Sequence, residues 1–179
     1  MLAEIFQQCK DQWIRSKHQK KHPFRTLTLA TVNAAGVPQI RTVVLRDFDA
    51  QKMHFVIYTD DRSGKAKDLL LQPQAQLLFY DAKKLWQIQV DASCIRRSSD
   101  PKVYKQIPAR SQKDYTTVLA PGTPIDNPED VDYTAENPHF LQLTFEAQRI
   151  ESLKLKRPVH VRSQFTRKAG EWRFQFLNP

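Results

Sequence analysis

Glycine is scarce in this chain, with four in 179 residues, and cysteine is scarcer, with two. So little glycine, and no low-complexity tract, excludes a fibrous or disordered chain. The two cysteines, Cys9 and Cys94, lie far apart without CxxC spacing. They offer no disulfide framework, and each reads as a free thiol. His18, His22, His54, His139 and His160 form no HxxxH or HExxH grouping, so no metal site is expected. No apolar run approaches the roughly 20 residues of a membrane span. The N-terminal stretch has no apolar core followed by a small-residue cleavage site, as a secretory leader would. A cytoplasmic chain without membrane contact is the expectation.

What the chain does have is an ordinary globular balance, 40% hydrophobic and 26% charged residues. Its length suits one domain, residues 1–179, with a sizeable core. Twenty-eight basic against 19 acidic residues leave a net charge of +9. Part of that excess is the block from Arg15 to Arg25. A nucleic-acid surface is one reading of it. The solvated C-terminal end of a helix is the better one, because no nucleic-acid-binding motif accompanies the charge. A basic surface also speeds encounter with phosphorylated small molecules.

Apolar residues from Leu2 to about Lys17 recur at helical spacing. Pro23 ends that helix. Strand patterns follow at 27–32, 38–48 and 52–59, with the NAAG turn at 33–36. A short helix over 63–71 interrupts them, and strands over 75–81 and 85–96 resume the meander. Two helical stretches, DPKVYKQI and SQKDYTTVL, come next, then a proline- and acid-rich loop over 119–137. The remainder alternates as strands to the C-terminus, with Trp172, Phe174 and Phe176 on one face as packing residues. This is a mainly β chain with flanking helices, and the meander favours a small barrel.

The most informative stretch runs from Arg41 to Asp91. Within it, TDDRSGK gathers Thr59, Arg62, Ser63 and Lys65 where a strand ends and a helix begins. Free N–H groups and the positive end of a helix suit an anion there, with Ser63 as the cap. A plain cap with a charged first turn is the competing reading. Arg41 and Arg46 are five apart in an extended run, so they face opposite sides unless a bulge intervenes. Gln87, between Trp86 and Ile88, is either solvent-facing or aimed at a polar ligand.

RTVVLR, FVIYTDDRSGK and LWQIQV together resemble the FMN-binding split-barrel flavoproteins of the pyridoxamine 5'-phosphate oxidase family, over residues 24–95 and again in PVHVRSQF and EWRFQFLNP. The form of the turn is most similar to the oxidase-related branch. The resemblance implies a six-stranded antiparallel Greek-key split barrel, a homodimer, and FMN at the subunit interface. It assigns the cofactor to Arg41, Thr42, Val43, Val44 and Leu45 along one strand. Tyr58 and Thr59 would line it; Ser63 and Lys65, with Arg62 beside them, belong to the phosphate turn; Gln87 would reach the ring, and Arg162 matches the family's C-terminal arginine near the cofactor.

Departures from the family concentrate on the substrate side. Pro158 stands where an arginine precedes His160, Ser152 where a tryptophan meets the flavin, and Arg46 where a lysine holds substrate. Tyr104 and Arg110 are loose counterparts of further substrate residues, and Pro121 and Gly122 replace a Gln-Ser pair. Arg46, Tyr104, Arg110 and His160 are the substrate-side candidates, although a packed strand role suits His160 better. An oxidoreductase acting on a small substrate is the first expectation, with no catalytic residue assigned. An FMN carrier or sensor without pyridoxamine phosphate turnover is the second, and a basic nucleic-acid-binding domain a distant third.

Overall fold

A computed structural model of the chain describes residues 1–134 and 136–179. Helix α1 (Leu2–His18) leads into β1 (Thr26–Val32), whose buried positions alternate as a two-sided strand requires. Gly36, at φ +78 in the predicted turn, takes the left-handed conformation that glycine adopts without penalty. The run read as one strand over 38–48 is instead two, β2 (Pro38–Val44) and β3 (Asp47–Asp49). At the break the Leu45 N–H bonds the Arg25 carbonyl, and the Arg46 N–H turns to the Val56 carbonyl.

Beyond it come β4 (His54–Asp60), α2 (Gly64–Leu71), β5 (Gln74–Asp81) and β6 (Trp86–Ser98). Two short helices follow, α3 (Pro101–Gln106) and α4 (Ala109–Gln112). The sheet then closes with β7 (Phe140–Lys154), β8 (Val161–Lys168) and β9 (Glu171–Leu177). The helix expected to continue through 119 ends by Tyr115, because Thr117 enters a β-bridge with Tyr133.

The strands form one antiparallel sheet in the order β2-β1-β5-β6-β7-β4-β3, with β8 and β9 added beside β7. Its two ends, β2 and β3, are separated in sequence only by Leu45 and Arg46. A sheet whose edges are consecutive in the chain must curl on itself, and the result is a split barrel. Nine strands are present rather than six; the short β3 and the β8–β9 hairpin account for much of the difference.

The barrel is filled by Leu29, Leu45, Ile57, Leu77, Phe79, Ile88, Phe145 and Phe165, each fully buried. Side chains of this kind contribute about 1.5–3 kcal/mol each when removed from water. Trp13 of α1 plugs one side, 4.9 Å from Phe55 and 5.2 Å from Phe48. Phe6 meets Trp172 at 5.2 Å and Phe174 at 5.1 Å, so the two ends of the chain share packing. Of the three predicted together, only Trp172 is half-buried; Phe174, despite that contact, and Phe176 are exposed. A second, smaller cluster of Ile107, Tyr115 and Phe140 packs on Tyr58, Val103 and Tyr104. Among the described residues, no helix is long and apolar enough to cross a membrane.

Candidate functional site

The end of β4 and the start of α2 bring hydroxyls and cations together. Thr59 and Ser63 are both buried, their oxygens 3.1 Å apart. Ser63 Oγ donates to the Asp60 carbonyl at 2.7 Å, so Thr59 supplies the proton between the two hydroxyls. Lys65 Nζ donates to Thr59 Oγ1 at 3.0 Å and completes a directed chain of hydrogen bonds. Ser63 holds the cap position of α2, but its side chain makes no cap bond because it is turned back to Asp60. The predicted side-chain cap is therefore absent. The N–H groups of Gly64 and Lys65 have no partner among the described residues.

Arg41 reaches this place from β2. It pairs across the sheet with the core residue Leu29 and so lies on the inward side. Its Nη1 donates to Thr31 Oγ1 at 2.7 Å, and its Nη2 stands 3.6 Å from Asp68 Oδ2. Thr31 Oγ1 in turn donates to Asp68 Oδ2 at 2.7 Å. Asp68, one turn beyond Lys65 on α2, thereby fixes the arginine. Sequence reasoning missed Thr31 and Asp68, although a carboxylate three residues after Lys65 on the same helix was a readable signal.

The electrostatics favour an anion. Burial pushes the Lys65 ammonium below its ordinary value, and the positive charge of Arg41 pushes it the same way; Asp60 opposes more weakly. Among the described residues no carboxylate pairs with Lys65 within 4 Å. A partly buried lysine beside an arginine, without a counterion of its own, is relieved by a phosphate. The residues present fit a mononucleotide tail.

Other predicted residues are placed elsewhere. The Arg62 guanidinium lies on Asp60 and on the carbonyls of Thr117 and Val118. Val43 and Leu45 are core residues, which leaves Thr42 and Val44 on the outward side of β2. Tyr58 stacks edge-on against Phe140 at 5.0 Å, with the Arg46 guanidinium 5.5 Å from its ring. The Arg46 Nε is buried without a partner. Arg41 and Arg46 thus diverge, not by strand alternation alone but because the chain changes sheet neighbour between them.

Gln87 and Arg162 form a separate group. They lie on one rung, Tyr80–Gln87–Leu153–Arg162, on the side opposite to the core residues Trp86 and Ile88. Gln87 borders a cavity of about 490 Å³ with Leu78, Leu85, Leu153 and Leu155. Arg162 donates through Nε and Nη2 to Glu151 Oε1 at 2.9 and 2.6 Å. Within one chain, neither meets Arg41 or Lys65, which belong to the inner side.

The substrate candidates are scattered. Tyr104 belongs to the small cluster and bonds the Gln112 carbonyl at 3.3 Å, while Arg110 is exposed on α4. His160 is not a packed strand histidine. It precedes β8, is exposed, and its ring accepts the Lys156 N–H at 3.1 Å. Ser152 is buried, 2.8 Å from the donating Trp86 Nε1, so it faces the core rather than the rung of Gln87. Pro121 and Gly122 line a cavity of about 410 Å³ formed by residues 114–132.

A split barrel with a phosphate-fitting turn at the start of the short helix α2, which crosses from β4 to β5, is the architecture of a mononucleotide-binding flavoprotein. The family model described as pyridoxamine 5'-phosphate oxidase, FMN-binding domain, matches residues 4–95, and the chain belongs to that family. FMN is its cofactor.

A pyridoxine/pyridoxamine 5'-phosphate oxidase of Burkholderia cenocepacia is 35% identical over 91 residues, 50% of this chain and 42% of that protein. The matched part is thus well under half the length of that relative. One from Myxococcus xanthus is 28% identical over 193 residues, covering 99% of this chain and 89% of the relative. Among solved structures, a pyridoxamine 5'-phosphate oxidase-related, FMN binding protein of Nostoc punctiforme superposes with a TM-score of 0.79. It is 22% identical, with 97% of each chain covered. PhzG of Burkholderia lata, solved with tetrahydrophenazine-1-carboxylic acid, has a TM-score of 0.78 at 15% identity, covering 96% of this chain and 91% of that one. At these identities the two structures speak to the fold alone.

Proposed function

We propose that the chain is an FMN-dependent oxidoreductase of the cytoplasm, a homodimer with FMN at the subunit boundary, acting on a small substrate. The observation that carries this reading is Lys65: partly buried, bonded to Thr59, beside Arg41, and without a carboxylate partner among the described residues. Arg41, Lys65 and the free N–H groups of Gly64 and Lys65 would hold the phosphate, with Thr59 and Ser63, whose protons are used within the turn, keeping Lys65 in place. The Gln87 amide would orient the ring by donating and accepting hydrogen bonds at once. Bound FMN supplies a reversible acceptor of electrons and hydride.

The dimer reading rests on the two separated groups. A twofold axis that sets the outward rung of Gln87 and Arg162 against the partner's phosphate turn would complete two equivalent sites. The outward side also carries apolar surface that one chain leaves uncovered: Ile40 is 73% exposed, Tyr80 50% and Leu85 46%. The shared packing of α1 with β9 favours one domain over residues 1–179.

A second reading, FMN binding without pyridoxamine phosphate oxidation, is favoured by Arg46. It stands where the family has a lysine, with its guanidinium over the ring of Tyr58, and Pro158 leaves no arginine before His160. Purified protein that is yellow, loses its colour with NADH or NADPH, and does not turn over pyridoxamine phosphate fits an oxidoreductase of other specificity. Yellow protein inert to both agrees with the carrier or sensor. Pyridoxamine phosphate turnover at ordinary enzyme rates contradicts the argument from Arg46 and Pro158. Colourless protein that takes up no added FMN contradicts both readings.

A further inference from the structure

We infer that Arg62 is a positioning residue: it ties the segment 113–134 to the phosphate turn, so that FMN binding and docking of that segment strengthen each other. The inference rests on the reading of Thr59, Ser63 and Lys65 as the phosphate turn. Arg62 itself is not free to hold a phosphate. Its backbone N–H and its Nε donate to Asp60 Oδ1 at 2.8 and 3.1 Å, and its Nη2 to Asp60 Oδ2 at 2.7 Å. The far side of the guanidinium donates to the Val118 carbonyl at 2.9 Å and to the Thr117 carbonyl at 2.9 Å. All three side-chain nitrogens are engaged.

Asp60 is buried, and it also organises the turn, since its carbonyl accepts both Ser63 N–H and Ser63 Oγ. One residue therefore fixes both: the Asp60 carbonyl holds Ser63 of the phosphate turn, and its carboxylate holds Arg62. On the other side, Arg62 grips main-chain oxygens, so it recognises the path of the segment rather than its side chains. That path is a closed loop: Thr117 bridges Tyr133, and Val118 N–H bonds the Asp132 carbonyl at 2.9 Å. The neighbouring Asp61 N–H bonds the His139 carbonyl at 3.0 Å, where the chain re-enters the sheet ahead of β7. The cavity inside the loop is lined by residues 114–132 alone, with no barrel side chain filling it. Tyr115 anchors the start of the segment in the cluster with Tyr58 and Phe140, and beyond it the Arg62 contacts hold the loop at Thr117 and Val118, so what orders the turn orders the loop.

Amide hydrogen exchange at Val118 and Thr134 tests this, with and without FMN, alongside the rate of FMN dissociation. The proteins are wild type, Arg62→Ala, Arg62→Lys and Lys65→Ala, and amides between β6 and β7 report folding. In wild type, FMN raises protection at Val118 and Thr134 by about tenfold, a typical coupling between linked sites. In both Arg62 variants that increment vanishes and FMN leaves about tenfold faster, because lysine keeps the charge but cannot span a carboxylate and two carbonyls. Arg62→Lys behaving as wild type would reduce Arg62 to a point charge and overturn the inference. Loss of loop protection with unchanged FMN dissociation overturns it as well. Lys65→Ala holding FMN as wild type does overturns the phosphate-turn reading, and the inference with it.

Discussion

The turn after β4 and the segment between β6 and β7 touch, yet they are built differently. The turn is rigid by burial: Thr59, Asp60 and Ser63 are all enclosed, and their polar atoms satisfy one another. Among the described residues of the segment 99–139, a small apolar cluster is shared with Tyr58 and Phe140 of the barrel, and most other side chains are exposed. The difference teaches where each function can reside. A preorganised anion site needs donors held in place before binding, and this enclosed network so holds Lys65 and the free N–H groups of Gly64 and Lys65. A covering segment needs a docking energy small enough to be modulated, and polar contacts to exposed main chain supply it.

The largest expected effect strikes the turn. Arg41→Ala combined with Lys65→Ala removes two charge-assisted contacts of about 1.5–3 kcal/mol each, so FMN affinity falls by two orders of magnitude or more. The barrel, which buries neither side chain in its core, keeps its far-UV circular dichroism while the flavin absorbance is lost on desalting. A double variant that stays yellow breaks the comparison.

Core truncations sharpen it next. Trp13→Ala, under α1 against Phe48, Phe55 and Phe79, costs about 3–5 kcal/mol in urea unfolding. Ile107→Ala in the small cluster costs about 2 kcal/mol and leaves exchange within the barrel unchanged. Equal global losses from the two would mean that barrel and segment unfold as one unit.

Gln87→Ala removes one neutral hydrogen-bonding group, about 1 kcal/mol, and weakens FMN less than tenfold. A shifted flavin absorption band would accompany it.

The smallest effect is on pH. The Lys65 ammonium titrates below its ordinary 10.5 in the folded, FMN-free protein, because of burial and Arg41. Between that lowered value and 10.5 the unfolded chain holds a proton that the folded chain has lost, so stability of the FMN-free protein rises with pH there. FMN affinity moves the opposite way, falling as the ammonium is neutralised. Denaturant titrations of wild type and Lys65→Met across alkaline pH check the sign, since the variant lacks this rise.

Much of the barrel was legible because its signals are local. Alternation marked β1, β4, β5 and β6, and helical spacing marked α1 and α2. The corner at Leu45 and Arg46 was not legible. It depends on which neighbour each residue finds after the sheet curls, and nothing in VVLRDF announces it. The helix drawn through Thr116–Leu119 failed for a similar reason: a bridge to Tyr133, far along the chain, overrode local propensity.

In the site, Thr59, Ser63 and Lys65 came from residue type and spacing, Arg41 chiefly from the family resemblance, and the structure sets them near one another. Arg62 was grouped with them by the same logic, because sequence proximity cannot say that a buried Asp60 turns it away. Asp68 was overlooked, since a carboxylate seems out of place beside a phosphate until its role in holding Arg41 is visible.

Comparing the affinities of wild type and Lys65→Ala for FMN and for riboflavin, which lacks only the phosphate, tests the central claim most directly. Wild type is expected to prefer FMN by about a hundredfold or more, the worth of two charge-assisted contacts, and the variant to lose most of that preference by weakening FMN alone. Equal affinity of wild type for the two flavins, or an intact preference in the variant, would contradict it.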